Sequence, residues 1–441
     1  MSDQQSSNES SQASRRNFVK KTTLGTAALG LGSVSVSPLV AAEDMSKKKL
    51  KVGVVGLGGR GTGAVSDILS ADPNTVLWSM ADIFESSKQR LGGLKKRFAD
   101  RIDTGNGERE FIGFDAYQKV IESGVDIVLL TSTPAFRPLH FEAVINAGKH
   151  AFIEKPFALD VPGLKQVVDA AKKAASNGQS VVTGLVWRYS SHLMELHERI
   201  QDGAIGDVLS VSSSYCGGGR PNAMPDIKFK PAKMTDMEWA LRYWQSYLEL
   251  GGDGILEFMI HGIDRMSWAM GDKMPVKCYA NGANVFPLPG ANAWDSFSLR
   301  YVYDDGRVAD FLGRQIPRTY SASGDDIIGT KGQAFGRGSS ASIVKDGKVV
   351  WETKGGLDYV NEHKVLTSHI RQGKVYNDVL DQFATTHKIC LMGRAAAYTG
   401  QLLTDEQLMG STDLLLKTED LNFETPFTAR PPAQPGITKF S

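Results

Sequence analysis

Near its start the chain alternates short unbroken apolar runs with a segment whose apolar residues recur at helical spacing. Leu50-Lys51-Val52-Gly53-Val54-Val55, Val76-Leu77-Trp78-Ser79-Met80-Ala81 and residues 125–130 are the apolar runs. Runs of that length without polar alternation predict strands buried on both faces, the signature of a parallel sheet. Residues 62–70, between the first two, have helical periodicity. After residue 200 the pattern shortens. Residues 208–215, 276–283, 297–303, 307–311 and 342–344 read as short strands, and Asp304-Asp305-Gly306 and Asp346-Gly347 as hairpin turns. Residues 365–372 and 379–392 are again apolar at helical spacing, and the Pro-rich stretch 428–435 reads as an extended tail.

The turn after the first run carries chemistry. Gly56-Leu57-Gly58-Gly59-Arg60-Gly61 lies between a strand and a helix. There, glycines permit a tight turn and close approach of the backbone to a pyrophosphate, which the helix N-terminus attracts. The second run ends at Asp82, 26 residues after Gly56. A carboxylate in that place accepts from a ribose 2′-hydroxyl and repels a 2′-phosphate, so NAD is expected over NADP. The third run leads into Thr131-Ser132-Thr133-Pro134, a loop at the strand end where ligands meet an open α/β sheet.

Ahead of this domain, Ser14-Arg15-Arg16-Asn17-Phe18-Val19-Lys20 fills the twin-arginine pattern, followed by a weakly apolar Gly/Ala/Ser-rich run and a small-residue site at Val40-Ala41-Ala42. The expectation is export through the twin-arginine machinery to the periplasm or beyond, with no membrane insertion. No other stretch approaches the roughly 18 apolar residues of a spanning helix. Export of a folded protein away from the cytoplasmic nicotinamide pool implies a cofactor held tightly and returned to its starting state in each cycle.

Downstream, Ala147-Gly148-Lys149-His150 followed by Glu154-Lys155-Pro156 resembles the glucose–fructose oxidoreductase / inositol dehydrogenase (Gfo/Idh/MocA) family, in a bacterial subgroup rich in twin-arginine signals. The likeness runs from about Lys49 to Ser411. It includes Asp202-Gly203-Ala204-Ile205-Gly206, the segment from Gly251 to Asp264 with Glu257 and His261, Phe136-Arg137-Pro138, Glu362-His363 and the segment Gly393 to Gly400. The resemblance implies α/β architecture: an N-terminal Rossmann doubly wound parallel sheet and a C-terminal α+β domain with an open, mostly antiparallel sheet. The implied boundaries are a signal at 1–42, a linker at 43–49, an NAD-binding domain at 50–175, a substrate domain at 176–425 whose last helices return to the Rossmann domain, and a tail at 426–441.

The same resemblance implies roles. Lys155 and His261 face the reacting carbon as a proton-relaying pair, and Glu257, four residues before His261 on a shared helical face, orients the imidazole. Most members carry aspartate where this chain has Glu257. The cofactor is expected against Gly56, Gly58, Gly59, Arg60, Gly61, Asp82, Thr131, Ser132, Thr133, Pro134, Glu154 and Lys155. Aromatic and guanidinium groups suited to a pyranose ring supply the expected substrate contacts: Arg137, Arg188, Tyr189, Tyr215, Arg220, Arg242 and Trp244, with Asp264.

Composition narrows the partners. Net charge is +1, and the segment 1–42 holds four basic and two acidic residues, so the remainder stands at −1. Neither value provides the basic field that nucleic acid requires. The three cysteines lack CxxC spacing and read as buried apolar side chains. No metal is expected, since Met259 stands where relatives can carry another histidine. The leading expectation is an NAD-dependent sugar or polyol oxidoreductase, as a homo-oligomer. Its rivals are an NAD-dependent glycosidase working through transient ring oxidation, and a non-catalytic sugar-binding protein that retains NAD.

Overall fold

The computed structural model describes residues 47–220 and 223–440. The signal expected at 1–42 and most of the linker lie outside the described residues. Six parallel strands form the first sheet: β1 (Leu50–Val55), β2 (Thr75–Asp82), β3 (Glu110–Ile112), β4 (Ile127–Leu130), β5 (His150–Ile153) and β6 (Val181–Thr183), in the order β3-β2-β1-β4-β5-β6. That order is the doubly wound dinucleotide-binding topology. Strands β1 and β4 are buried almost throughout, as their unbroken apolar runs require. Strand β6 belongs to this sheet although it lies past the expected boundary at residue 175; its run of three residues is too short to stand out in a sequence pattern.

The second sheet has nine strands: β7 (Val208–Gly217), β8 (Lys277–Ala283), β9 (Ser296–Val302), β10 (Val308–Gln315), β11 (Ala322–Gly329), β12 (Gly332–Arg337), β13 (Ser340–Lys345), β14 (Lys348–Lys354) and β15 (Leu403–Thr404). Their order is β14-β13-β12-β11-β7-β10-β9-β8-β15, antiparallel except for the β7–β10 pair. One face packs Val211, Leu299, Tyr301 and Phe311 against the helices Ile260–Ala269 and Ala384–Thr399. The helix Tyr359–Arg371 leaves this domain and buries Leu366 and Ile370 with Leu50, Val52 and Phe152 of the Rossmann core. Cys216, Cys278 and Cys390 are free and buried. Among the described residues no helix is long and apolar enough to cross a membrane.

Candidate active site

The Gly-rich turn sits at the crevice where strand order reverses, at the C-terminal ends of β1 and β4. Gly56 has φ +93°, and a Cβ there would lie 2.5 Å from the Ser132 backbone nitrogen. A Cβ on Gly61 would lie 2.0 Å from the Gly56 oxygen, so helix and strand can pack this closely only through glycine. At Gly58 and Gly59 the reason differs. A Cβ on either would meet no atom within 4 Å, so the bare backbone there faces open cleft. Gly58 also caps the helix Gly59–Ala71 without a side-chain hydrogen bond, which leaves the N-terminal N–H groups turned outward. A dinucleotide pyrophosphate fits this cradle.

A cleft of about 450 Å³ opens from the turn. Gly56, Gly58, Gly59, Asp82 and Thr131, Ser132 and Thr133 line one side, and Leu241, Arg242, Tyr243 and Trp244 of the second domain line the other. The Asp82 carboxylate accepts from the Leu57 N–H at 2.8 Å and the Phe84 N–H at 2.9 Å, one bond per oxygen. Each oxygen keeps a lone pair for a ribose hydroxyl. Burial raises the Asp82 pKa, against the pull of those backbone bonds. Sequence reasoning missed the aromatic lining of this cleft: Phe84, Phe114, Tyr117, Phe136 and His140. Phe84 stands two residues after Asp82, a position that could have flagged it. His140 stacks on Tyr117 at 4.2 Å, and burial with the nearby Arg137 charge pushes its pKa down to about 3.

Lys155 and His261 do not line this cleft; both stand by the Glu257 segment at the seam between the domains. The Lys155 Nζ donates to the Glu257 backbone oxygen and stands 4.0 Å from the Glu257 carboxylate. His261 follows on the next turn, with Tyr215 at 5.8 Å between ring centroids. Burial first, then the positive charges of Lys155, Arg265 and Arg60, hold the His261 pKa well below the usual histidine range.

Glu257 does not orient the His261 imidazole. Residues Ile255–Met259 form a π-helical turn, in which backbone bonding runs i to i+5. The Glu257 carboxylate instead accepts from Gln245 Nε2 at 2.9 Å, and His261 Nδ1 has no hydrogen-bond partner.

Several expected substrate contacts are committed elsewhere. Arg137 is buried and donates to the carbonyls of Pro156 and Ser132. Arg188 is buried in ion pairs with Asp264 at 2.8 Å and Asp272 at 2.6 Å, which accounts for Asp264 as well. The Tyr189 hydroxyl donates to buried Asp378. All four are structural. Arg220 donates to the carbonyls of Ala293 and Trp294. Arg242 and Trp244 face the dinucleotide cleft, so of the expected substrate set only Tyr215 stands beside His261. Arg60 is turned to the carboxylates of Asp67, Glu154 and Glu362 and does not line the cleft, and Pro134 is buried under the loop.

Residues 50–180 match the Gfo/Idh/MocA oxidoreductase family, NAD-binding Rossmann fold, and residues 193–335 match the Gfo/Idh/MocA C-terminal domain. The chain is similar to the myo-inositol 2-dehydrogenase of Thermotoga maritima, 25% identical over 243 residues, covering 53% of this chain and 58% of that protein. It is also similar to a glycosyl hydrolase family 109 protein of Streptomyces coelicolor, 23% identical over 251 residues, covering 52% of this chain and 49% of that one. The chain thus spans about half the length of these relatives or slightly more. Among solved structures, the aldose-aldose oxidoreductase of Caulobacter crescentus complexed with glycerol shares the fold, with a TM-score of 0.64 at 17% identity, covering 81% of this chain and all of that one.

Proposed function

From a chain that carries both domains of the Gfo/Idh/MocA family, we propose an exported NAD-dependent oxidoreductase acting on a secondary hydroxyl of a sugar, glycoside or polyol. The carrying observation is the seam where Lys155 of the Rossmann edge reaches the Glu257 main chain, one turn before His261, whose pKa burial and nearby positive charge hold down. Gly58 and Gly59 with the open helix N-terminus would hold the pyrophosphate, and Asp82 the adenosine ribose. NAD, when bound, supplies the acceptor for a hydride leaving carbon. The chain's own part is the proton. A neutral imidazole accepts it from the substrate hydroxyl, and Lys155 Nζ donates a hydrogen bond to the oxygen as negative charge builds there.

Asp82, with a lone pair free on each oxygen, supports NAD over NADP. The twin-arginine pattern at Ser14 to Lys20 supports a periplasmic or otherwise exported protein, and a cleft roofed from the second domain supports a cofactor retained between turnovers. We expect a homo-oligomer in solution. A second reading, glycoside cleavage through transient ring oxidation and elimination, is favoured by the likeness to the glycosyl hydrolase family 109 protein.

The test is to purify the mature protein from its native compartment, extract its nucleotide and titrate sugars, glycosides and inositols while following reduced nicotinamide. NAD in the extract and a sugar-dependent signal, lost in Lys155→Ala and His261→Ala, are expected. A signal that survives both substitutions would overturn the site. Product analysis on glycosides separates the readings: keto-sugar with the glycosidic bond intact supports oxidation alone, and a released aglycone supports cleavage.

A further inference from the structure

Behind Lys155 lies a charged cluster whose members are far apart in sequence. The Arg60 guanidinium uses each of its three nitrogens on a different carboxylate: Nε on Glu154 at 2.5 Å, one terminal nitrogen on Asp67 at 2.9 Å and the other on Glu362 at 3.1 Å. Its plane lies over the Tyr359 ring at 4.7 Å. Glu154 closes the circuit, because its second oxygen accepts the Lys155 backbone N–H at 3.0 Å. An unbroken chain of contacts therefore runs from Glu362 on the returning helix Tyr359–Arg371, through Arg60 on the Gly-rich turn, to the residue expected to act on substrate.

The cluster is costly to build. Glu154 is 4% exposed and Glu362 fully buried, and Glu362 Oε2 and both nitrogens of the adjoining His363 have no hydrogen-bond partner. Buried ion clusters of this kind are commonly no more stable than an apolar replacement, so stability alone does not account for one. Space is also reserved for it: a Cβ on Gly184 would lie 2.7 Å from the Glu154 carboxylate. Burial, with the charges of Glu154 and Asp67, drives the Glu362 pKa well above the carboxylate range despite Arg60.

We propose that Arg60 and Glu362 are positioning residues for Lys155: they pin Glu154, which in turn fixes the backbone from which the Lys155 amine reaches the Glu257 segment. The inference rests on the functional reading above only for its purpose, since the contacts stand without it. It requires a guanidinium, because a lysine at position 60 would offer one point donor where three directed ones are used. It requires at position 362 an acceptor for the Arg60 guanidinium.

The experiment is competitive acetylation of the full mature protein with acetic anhydride. Modification of Lys155 is measured by peptide mass spectrometry relative to exposed Lys119, which cancels general changes in reactivity and unfolding. Arg60→Lys and Glu362→Ala are each expected to raise the Lys155-to-Lys119 ratio about fivefold or more, whereas Glu362→Gln, which keeps the acceptor, stays within about twofold of the parent. If Glu362→Ala does not fold, Arg60→Lys and Glu362→Gln carry the comparison. Ratios unchanged in Arg60→Lys, or Glu362→Gln rising with the disruptive variants, would overturn the proposal. Labelling reads the surroundings of Lys155 whether or not the amine takes part in turnover. Nicotinamide reduction by Lys155→Ala would sink the functional reading and leave the labelling result standing.

Discussion

The His261 pKa is held below the usual histidine range by burial and by the positive charges of Lys155, Arg265 and Arg60. An imidazole that must act as a base gains from this, because it stays unprotonated in acid. The acid limb of kcat/KM for the best substrate should therefore lie below the ordinary histidine value of about 6.5. A limb centred at 6.5 or above would mean that another group titrates. Asp253, six residues along from Tyr247 and buried under Tyr398, shows the opposite problem. It sits at φ +83°, accepts from the Gly254 N–H and the Tyr398 hydroxyl, and burial pushes its pKa from 3.8 up to about 7, against the Tyr398 hydrogen bond and the Arg220 charge. A carboxyl raised in the folded state binds more protons than in the unfolded chain. Its stabilising contribution is complete below about 3.8 and is lost as pH rises through about 7. Asp378, also raised to about 7 by burial, adds the same sign. The unfolding midpoint should fall between pH 5 and pH 8. Asp253→Asn, which mimics the protonated form and tolerates the left-handed backbone, should flatten that fall. An unchanged slope in thermal melts would reject the assignment.

At the scale of elements, the helix Tyr359–Arg371 ties the second domain to the first, and it does so with few residues. Leu366 is fully buried among Rossmann side chains. Leu366→Ala should lower unfolding free energy by about 2–5 kcal/mol, read by urea titration, if the helix is part of that core. A loss under about 0.5 kcal/mol would show the helix to be a loose strap. The helical periodicity of residues 365–372 was legible in sequence, as were the Gly-rich turn and β7 to β10, which read as short strands bounded by turn signals. Strand β11 was not. It turns Asp325 inward, an acidic residue that reads as surface until Arg265 at 3.0 Å is seen to pair with it and the Ser213 hydroxyl at 2.6 Å to donate to it. Arg188 and Tyr189 looked like sugar-binding groups for the same reason: their partners Asp272 and Asp378 are distant in sequence. Glu257 failed differently. Spacing places its carboxylate within a turn of His261, but the side chain accepts from Gln245 Nε2 at 2.9 Å, a partner that spacing does not reveal.

Across the whole molecule, the dinucleotide cleft is a joint product of both ends of the chain. Its floor is the Rossmann turn, and its roof is the segment Leu241 to Trp244. Arg242, held by Glu238 at 2.7 Å, lies over Phe84 at 4.3 Å. Phe423, close to the C-terminus, then packs on Phe84 at 5.6 Å and on Phe114 at 4.9 Å. We expect a cofactor lodged beneath this roof to leave by parting those aromatic contacts, so that the last turns of chain would bear on a rate set at the first. Each aromatic contact contributes about 0.5–1.5 kcal/mol beyond area burial, and Phe423→Ala removes two. The dissociation rate of NAD should rise about tenfold or more, with a smaller effect on association. Displacement of bound reduced nicotinamide, followed by its fluorescence, measures this directly. An off-rate equal to the parent's would mean that Phe423 packs beside the cleft without closing it, and that any retention of cofactor is the work of the Rossmann domain alone.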